Sequence, residues 1–215
     1  MTELPPSPGL YGLARRILRV LFFVYHRLSV RGLENIPRTG GCIMAANHVS
    51  FLDPPTIGTS IPFRDVRFMA RDTLFRPDWF GRLLYRLGVV PISRDRGDVG
   101  ALRKGIQLLQ AGECVALFPE GTRSLDGKLQ PAKGGIGFLI AKASVAVVPT
   151  YIDGTFKAYP KSARWIRPSK IRITFGPPIT HEELEAFGKE RDAYDKIGEL
   201  VMARIAAIRD ANASQ

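Results

Sequence analysis

Short apolar runs rich in β-branched residues alternate along this chain with segments whose apolar residues recur every three or four positions. That alternation predicts an α/β fold, a single domain with a mostly buried β-sheet flanked by helices. The totals agree with it. The chain has 215 residues, enough for one ordinary domain with a real core, and 45% of them are hydrophobic against 24% charged, a globular and not a disordered composition. No internal repeat is visible.

The elements follow in order. Residues 1–8 read as a loose end. Residues 9–32, GLYGLARRILRVLFFVYHRLSVRG, are the most membrane-like stretch, but Arg15, Arg16, Arg19 and Arg27 interrupt it. Its longest uncharged apolar run, Val20 to Tyr25, falls far short of the roughly 20 residues a span requires. No small-residue cleavage site follows it, so it does not read as a cleaved signal. Leu10, Leu13, Ile17, Val20, Leu21 and Val24 recur at helical spacing with the arginines mostly between them. This predicts a basic amphipathic helix suited to a headgroup layer; the alternative is a helix packed on the domain's own core. The expected division is therefore a helical segment over residues 1–30 and a domain over residues 31–212.

GGCIMAANH reads as a buried strand ending at His48. Pro54 disfavours a helical Asp53 and is itself well placed at a first helical position, so Asp53 is expected to cap a short helix starting at Pro54. Residues 63–94 interleave arginine with Phe, Trp and Tyr, and GVVPIS within them reads as a strand. Val99, Leu102, Ile106 and Leu109 mark one face of a helix, with Arg103, Lys104, Gln107 and Gln110 on another and Gly112 as its stop. CVALFPEG is a strand running into a turn, KGGIGFLIAKAS a helix despite its glycines, and VAVVPTYID and KIRITFG are strands. SARWIRPSK, 162–170, reads as an exposed loop. THEE at 180–183 has the capping-box pattern, and Tyr194, Ile197, Leu200, Val201, Ile205 and Ile208 follow the helix period beyond it. The tail ANASQ reads as a second loose end.

Lysine and arginine number 31 and aspartate and glutamate 20, a formal charge of +11. A chain this basic meets something anionic: nucleic acid, a lipid surface or a phosphorylated substrate. Cys42 and Cys114 sit far apart in apolar runs and read as core residues. His26, His48 and His181 are scattered and suggest no metal site.

Four blocks then stand in a telling order. NHVSFLDP places His48 five residues before Asp53; GVVPISRD, FPEGTRS and VVPTYIDG follow. Together they resemble the glycerolipid acyltransferases of the lysophosphatidic-acid acyltransferase type, over residues 47–154, and KIRITFGPPI fits the end of that pattern. The resemblance implies a mixed sheet with the active site at one edge of it, near a membrane. It implies transfer of a fatty acyl group from a thioester to the sn-2 hydroxyl of 1-acyl-glycerol-3-phosphate, giving phosphatidic acid. Acyl-CoA or an acyl-carrier protein would serve as co-substrate, with no bound cofactor and no metal. The implied location is the cytoplasmic face of an anionic membrane, without a span. Pro91 and Ser93 depart from the commoner form of the second block, so glycerol-3-phosphate and other lysophospholipids stay open as acceptors.

The chemistry suits these residues. A thioester is already activated, so no enzyme nucleophile is required, but the acceptor alcohol must lose a proton. An unperturbed imidazole titrates near neutrality and serves as a base, and a carboxylate fixes its tautomer. His48 is the expected base and Asp53 its orienting group. In FPEGTRS, Gly121 lets the backbone approach a ligand and Arg123 offers a bidentate fork to phosphate. Glu120 is expected to hold that arginine or a substrate hydroxyl. By resemblance the whole block, Glu120, Gly121, Thr122 and Arg123, binds the phosphorylated acceptor. Arg94 joins it on the same ground, with Arg96 as a nearby substitute, and Lys133 offers a further positive charge.

Two other classes compete with this reading. A serine hydrolase would use Ser50 or Ser124, yet no G-x-S-x-G elbow is present. A basic nucleic-acid-binding protein fits the charge and the Arg/aromatic stretch, but no RNP-like or helix-turn-helix pattern accompanies them, and no specific nucleic acid is expected. GGIGFLIA is not a dinucleotide fingerprint, because Ile140 stands where a small residue belongs.

Overall fold

The computed structural model describes residues 4–92, 98–188 and 191–214. Among them, seven strands form one sheet: β1 (Ser29–Arg31), β2 (Cys42–Ala46), β3 (Val66–Arg71), β4 (Val90–Ile92), β5 (Cys114–Leu117), β6 (Ala146–Asp153) and β7 (Arg172–Phe175). The helices are α1 (Pro8–His26), α2 (Asp53–Ser60), α3 (Asp78–Arg86), α4 (Asp98–Gln110), α5 (Gly134–Ala143), α6 (Thr155–Ala158), α7 (His181–Glu185) and α8 (Arg191–Ala213). The strand order is β1-β7-β6-β2-β5-β3-β4. β6 and β7 pair antiparallel and the remaining neighbours pair parallel, so the sheet is mixed. β1 straddles the division expected after residue 30.

β2 is apolar throughout because it is covered on both faces. Cys42, Met44 and Ala46 join a core with Phe22 of α1, Ile57 of α2 and Ile61 just after it. Ile43 and Ala45 join a second core with Leu109 of α4, Leu139 and Ile140 of α5, and Ile197, Val201 and Ile205 of α8. The chain thus leaves β2 toward one face and β5 toward the other. Their carboxyl ends open the crevice where open α/β sheets bind ligands. The candidate site lies over these carboxyl ends, along one edge of the sheet.

Sequence-specific contacts explain several elements. α2 is nearly all buried, and its hydroxyls are satisfied within the helix: Thr56 Oγ1 donates to Leu52 O, and Ser60 Oγ donates to Thr56 O at 2.7 Å. The glycines of α5 permit a close helix crossing. A side chain at Gly137 would run into the Tyr194 carbonyl of α8. Thr180 caps α7 with the expected reciprocal box, Glu183 N–H to Thr180 Oγ1 and Thr180 N–H to Glu183 Oε2.

α1 turns its predicted stripe outward. Tyr11, Phe22 and His26 face the domain, while Leu13, Ile17, Val20, Leu21 and Val24 are exposed, Val24 to 73%. No helix of the described residues is long and apolar enough to cross a membrane. Arg15 is taken by Asp65 at 3.2 Å.

Some expectations are corrected. The described parts of both expected loose ends are tied to the domain: Ser7 N–H donates to Arg86 O at 2.8 Å, and Asn212 Nδ2 of α8 donates to Thr174 Oγ1 at 3.1 Å. The Arg/aromatic stretch contains β3 and α3, and two of its arginines serve the fold. Arg64 donates to the carbonyls of Pro37, Gly40 and Gly112, and Arg67 pairs with Glu113 at 3.0 Å.

Candidate active site

β2 ends at Ala46, paired with Thr150 of β6. Asn47 continues the ladder with its side chain: Ile152 N–H donates to its Oδ1 at 2.7 Å, and its Nδ2 donates to Ile152 O at 3.0 Å. The main chain is thereby free to turn out of the sheet at His48. The loop closes on Asp53, whose carboxylate is fully buried. Asp53 Oδ2 lies 2.8 Å from His48 Nδ1 and also accepts the N–H groups of Val49 and Ser50, each at 2.7 Å. Asp53 is therefore the first residue of α2, not its cap. Its carboxylate reaches back into the loop, while Leu52 occupies the cap position. With Nδ1 held as donor to this carboxylate, Nε2 is the basic nitrogen of His48.

β5 supplies the other wall. The Phe118 ring stacks on the His48 imidazole, centroids 4.0 Å apart and planes 18° from parallel. Glu120 Oε1 accepts the His48 N–H at 3.0 Å, and the His48 carbonyl accepts the Ser124 N–H at 2.8 Å. Glu120 is buried, and among the described residues its Oε2 has no partner. Burial pushes its carboxyl up to about 7, with the charges of Asp53 and Asp126 adding to the rise and the amides of His48 and Gln130 opposing it. Glu120 forms no ion pair with Arg123 and holds the backbone of the His48 loop, which leaves the substrate hydroxyl as the other expected partner.

Arg123 lies over Phe51, its Cζ 3.5 Å from the ring centroid, and among the described residues its buried Nη1 has no partner. Burial pulls its pKa below the usual guanidinium range; Asp53 opposes that and Arg71, at the end of β3, adds to it. Gly121 sits at φ 65° with the Lys133 side chain crossing directly over it, so the turn brings Lys133 to the site. Thr122 is exposed on the same turn. Arg94 and Arg96 lie outside the described residues.

The structure brings together His48, Asp53, Glu120, Gly121, Arg123 and Lys133. Sequence reasoning missed Asn47, Phe118 and Arg71; of these only Asn47 carried a signal, standing directly before the histidine. Ser50 and Ser124 are not nucleophiles here. Ser50 Oγ donates to Tyr159 O at 2.6 Å and Ser124 Oγ to Asp126 Oδ1 at 2.8 Å, and neither bonds to His48.

A histidine–carboxylate pair at the carboxyl ends of central strands, beside an arginine, is a geometry suited to group transfer. The acyltransferase family model matches residues 27–153, and the chain belongs to that family. The resemblance read from the four blocks is borne out. A chloroplastic 1-acyl-sn-glycerol-3-phosphate acyltransferase, BAT2 of Brassica napus, is 33% identical over 184 residues, 84% of this chain and 52% of its own length. This chain thus spans about half of that plant relative. The 1-acyl-sn-glycerol-3-phosphate acyltransferase of Bacillus subtilis is 26% identical over 171 residues, 79% of this chain and 82% of the relative. The crystal structure of the 1-acyl-sn-glycerophosphate (LPA) acyltransferase PlsC from Thermotoga maritima superposes with a TM-score of 0.69 at 28% identity, covering 93% of this chain and 78% of that one.

Proposed function

We propose that this protein transfers a fatty acyl group from a thioester to the sn-2 hydroxyl of 1-acyl-glycerol-3-phosphate, giving phosphatidic acid. The observation that carries the reading is the 2.8 Å contact between His48 Nδ1 and the buried Asp53 carboxylate. His48 Nε2 takes the acceptor's proton as its oxygen attacks the thioester carbonyl. The C–S bond breaks, and the thiolate leaves with the proton returned from the imidazolium. Asp53 stabilises that imidazolium, a contribution typically worth about 10²–10⁴-fold together with the base itself. Arg123 grips the acceptor phosphate with its unpartnered nitrogen. Arg71 and Lys133 add positive charge beside it, and Arg94 is assigned to the same phosphate. The acyl donor is coenzyme A or an acyl-carrier protein.

The exposed apolar face of α1 rests on an anionic membrane in this reading, so that the acceptor's acyl chain stays in the bilayer while its head group enters the crevice.

The test is acyl transfer by purified protein, with acyl-CoA and acyl-carrier protein as separate donors and products read by mass spectrometry. Acceptors are 1-acyl-glycerol-3-phosphate and glycerol-3-phosphate in parallel. Diacyl product from the wild type, lost in His48→Ala, is expected. Undiminished product in the variant would remove His48 from the mechanism, and product only from glycerol-3-phosphate would change the acceptor.

A further inference from the structure

The excursion between α6 and β7 has no part in the site, yet its surface is unusual. Residues 161–170, KSARWIRPSK, carry Lys161, Arg164, Arg167 and Lys170 and no acid. All four cations are exposed, and among the described residues none forms an ion pair. Between them Trp165 is 81% exposed and Ile166 48%. Leaving an indole in water forgoes a large apolar burial, so a fixed, exposed Trp between cations signals a partner.

This segment is held in place. Arg167 N–H donates to Ala158 O at 2.9 Å, and Ala163 N–H donates to Pro160 O at 3.0 Å. Tyr25 Oη of α1 donates to Ile166 O at 3.2 Å, and His26 Nδ1 lies 3.3 Å from Ser169 O. At its start Pro160 bridges to Ser50 of the catalytic loop. The segment therefore runs from the loop that carries His48 to the end of α1 where Phe23 and Val24 are exposed.

We propose that residues 161–170 are a second lipid anchor: Trp165 and Ile166 enter the interface of an anionic phospholipid bilayer while the four cations meet its phosphates. The inference rests on the reading that α1 faces lipid, and deepens it by adding a contact beside the catalytic loop. Aromatic rings favour the headgroup level, and basic residues there add attraction to an anionic leaflet. Continuity with the exposed apolar face of α1 favours a bilayer over an acidic protein, for which a charged surface without Trp165 and Ile166 would suffice. Two anchors, α1 and this segment, fix the tilt of the crevice toward the membrane, which a single helix cannot do.

The test uses the full chain carrying Trp79→Phe, which leaves Trp165 as its only tryptophan. Vesicles of phosphatidylcholine with phosphatidylglycerol are added, some with brominated acyl chains. The expected result is a blue shift of Trp165 emission, quenching by the brominated lipid, and protection from a water-soluble quencher. Arg164→Gln and Arg167→Gln should each weaken vesicle binding about fivefold. Trp165→Ser with Ile166→Ser should weaken it further, without change in thermal unfolding. Vesicle binding with Trp165 still exposed to the aqueous quencher would overturn the second anchor and leave α1 docking intact. A shift on adding acyl-carrier protein but not vesicles would overturn it in favour of a protein partner. No vesicle binding at all would overturn both readings.

Discussion

Glu120 Oε1 accepts the backbone N–H of His48 at 3.0 Å, and four residues further on the Ser124 N–H donates to the carbonyl of the same histidine. One turn thus grips both polar groups of the His48 main chain, and the imidazole is held from the backbone as well as through its ring.

That grip has a pH signature. The Glu120 carboxyl titrates at about 7 in the folded protein against 4.5 unfolded, chiefly through burial. Between those values the folded state holds a proton that the unfolded state has released, so stability falls as pH rises. Glu120→Gln keeps an oxygen for the His48 N–H and has nothing to titrate. The stability of Glu120→Gln minus that of the wild type should therefore grow from pH 4.5 to above 7, by no more than about 3 kcal/mol. Urea unfolding across that range reads it; a difference flat with pH would mean that Glu120 is solvated.

Asn47→Ala should destabilise the protein by about 2–4 kcal/mol. It leaves the N–H and C=O of Ile152 without partners in a region nearly closed to water. Denaturant midpoints measure this, and a loss under 1 kcal/mol would show that the ladder closes without the amide. Activity should fall as well, because the departure of the chain from the sheet at His48 depends on the same amide.

Much of this was legible in the sequence. His48 and Asp53 are five residues apart and meet across one loop, so their contact is a local matter. Glu120 and Phe118 meet His48 only because β2 and β5 lie side by side, and nothing in the intervening residues states that pairing. The Arg/aromatic stretch hid β3 and α3, since arginines such as Arg67 that pair within the fold look the same in sequence as arginines facing water. The outward turn of α1 was favoured by the sequence but not decided by it. Its regular apolar stripe suits either a core or a lipid surface, and only the burial of Tyr11, Phe22 and His26 on the other side decides which face the domain covers.

Arg123 should act on binding of the phosphate and not on the chemical step. Arg123→Lys keeps the charge but loses the fork and the guanidinium contact over Phe51. The expected result is a KM for 1-acyl-glycerol-3-phosphate raised about tenfold with kcat within about twofold, and about a hundredfold for Arg123→Ala. A monoacylglycerol acceptor, which lacks the phosphate, should be indifferent to either change. Equal losses with both acceptors would place Arg123 in the fold of the turn instead.

Asp53→Asn separates orientation from mere burial. The carboxylate oxygen Oδ2 accepts three N–H groups, from His48, Val49 and Ser50. An asparagine oxygen in the same place still accepts from the loop, so the fold should survive with some loss of stability. What it cannot do is stabilise a positive imidazolium, and its neutral amide no longer enforces the tautomer that leaves Nε2 basic. The expected loss is about 10²–10⁴-fold in kcat with KM for the acceptor little changed. The same loss should appear with coenzyme A and carrier-protein donors, because proton removal from the acceptor is common to both. A variant retaining a third or more of the wild-type kcat would show that His48 works without its partner.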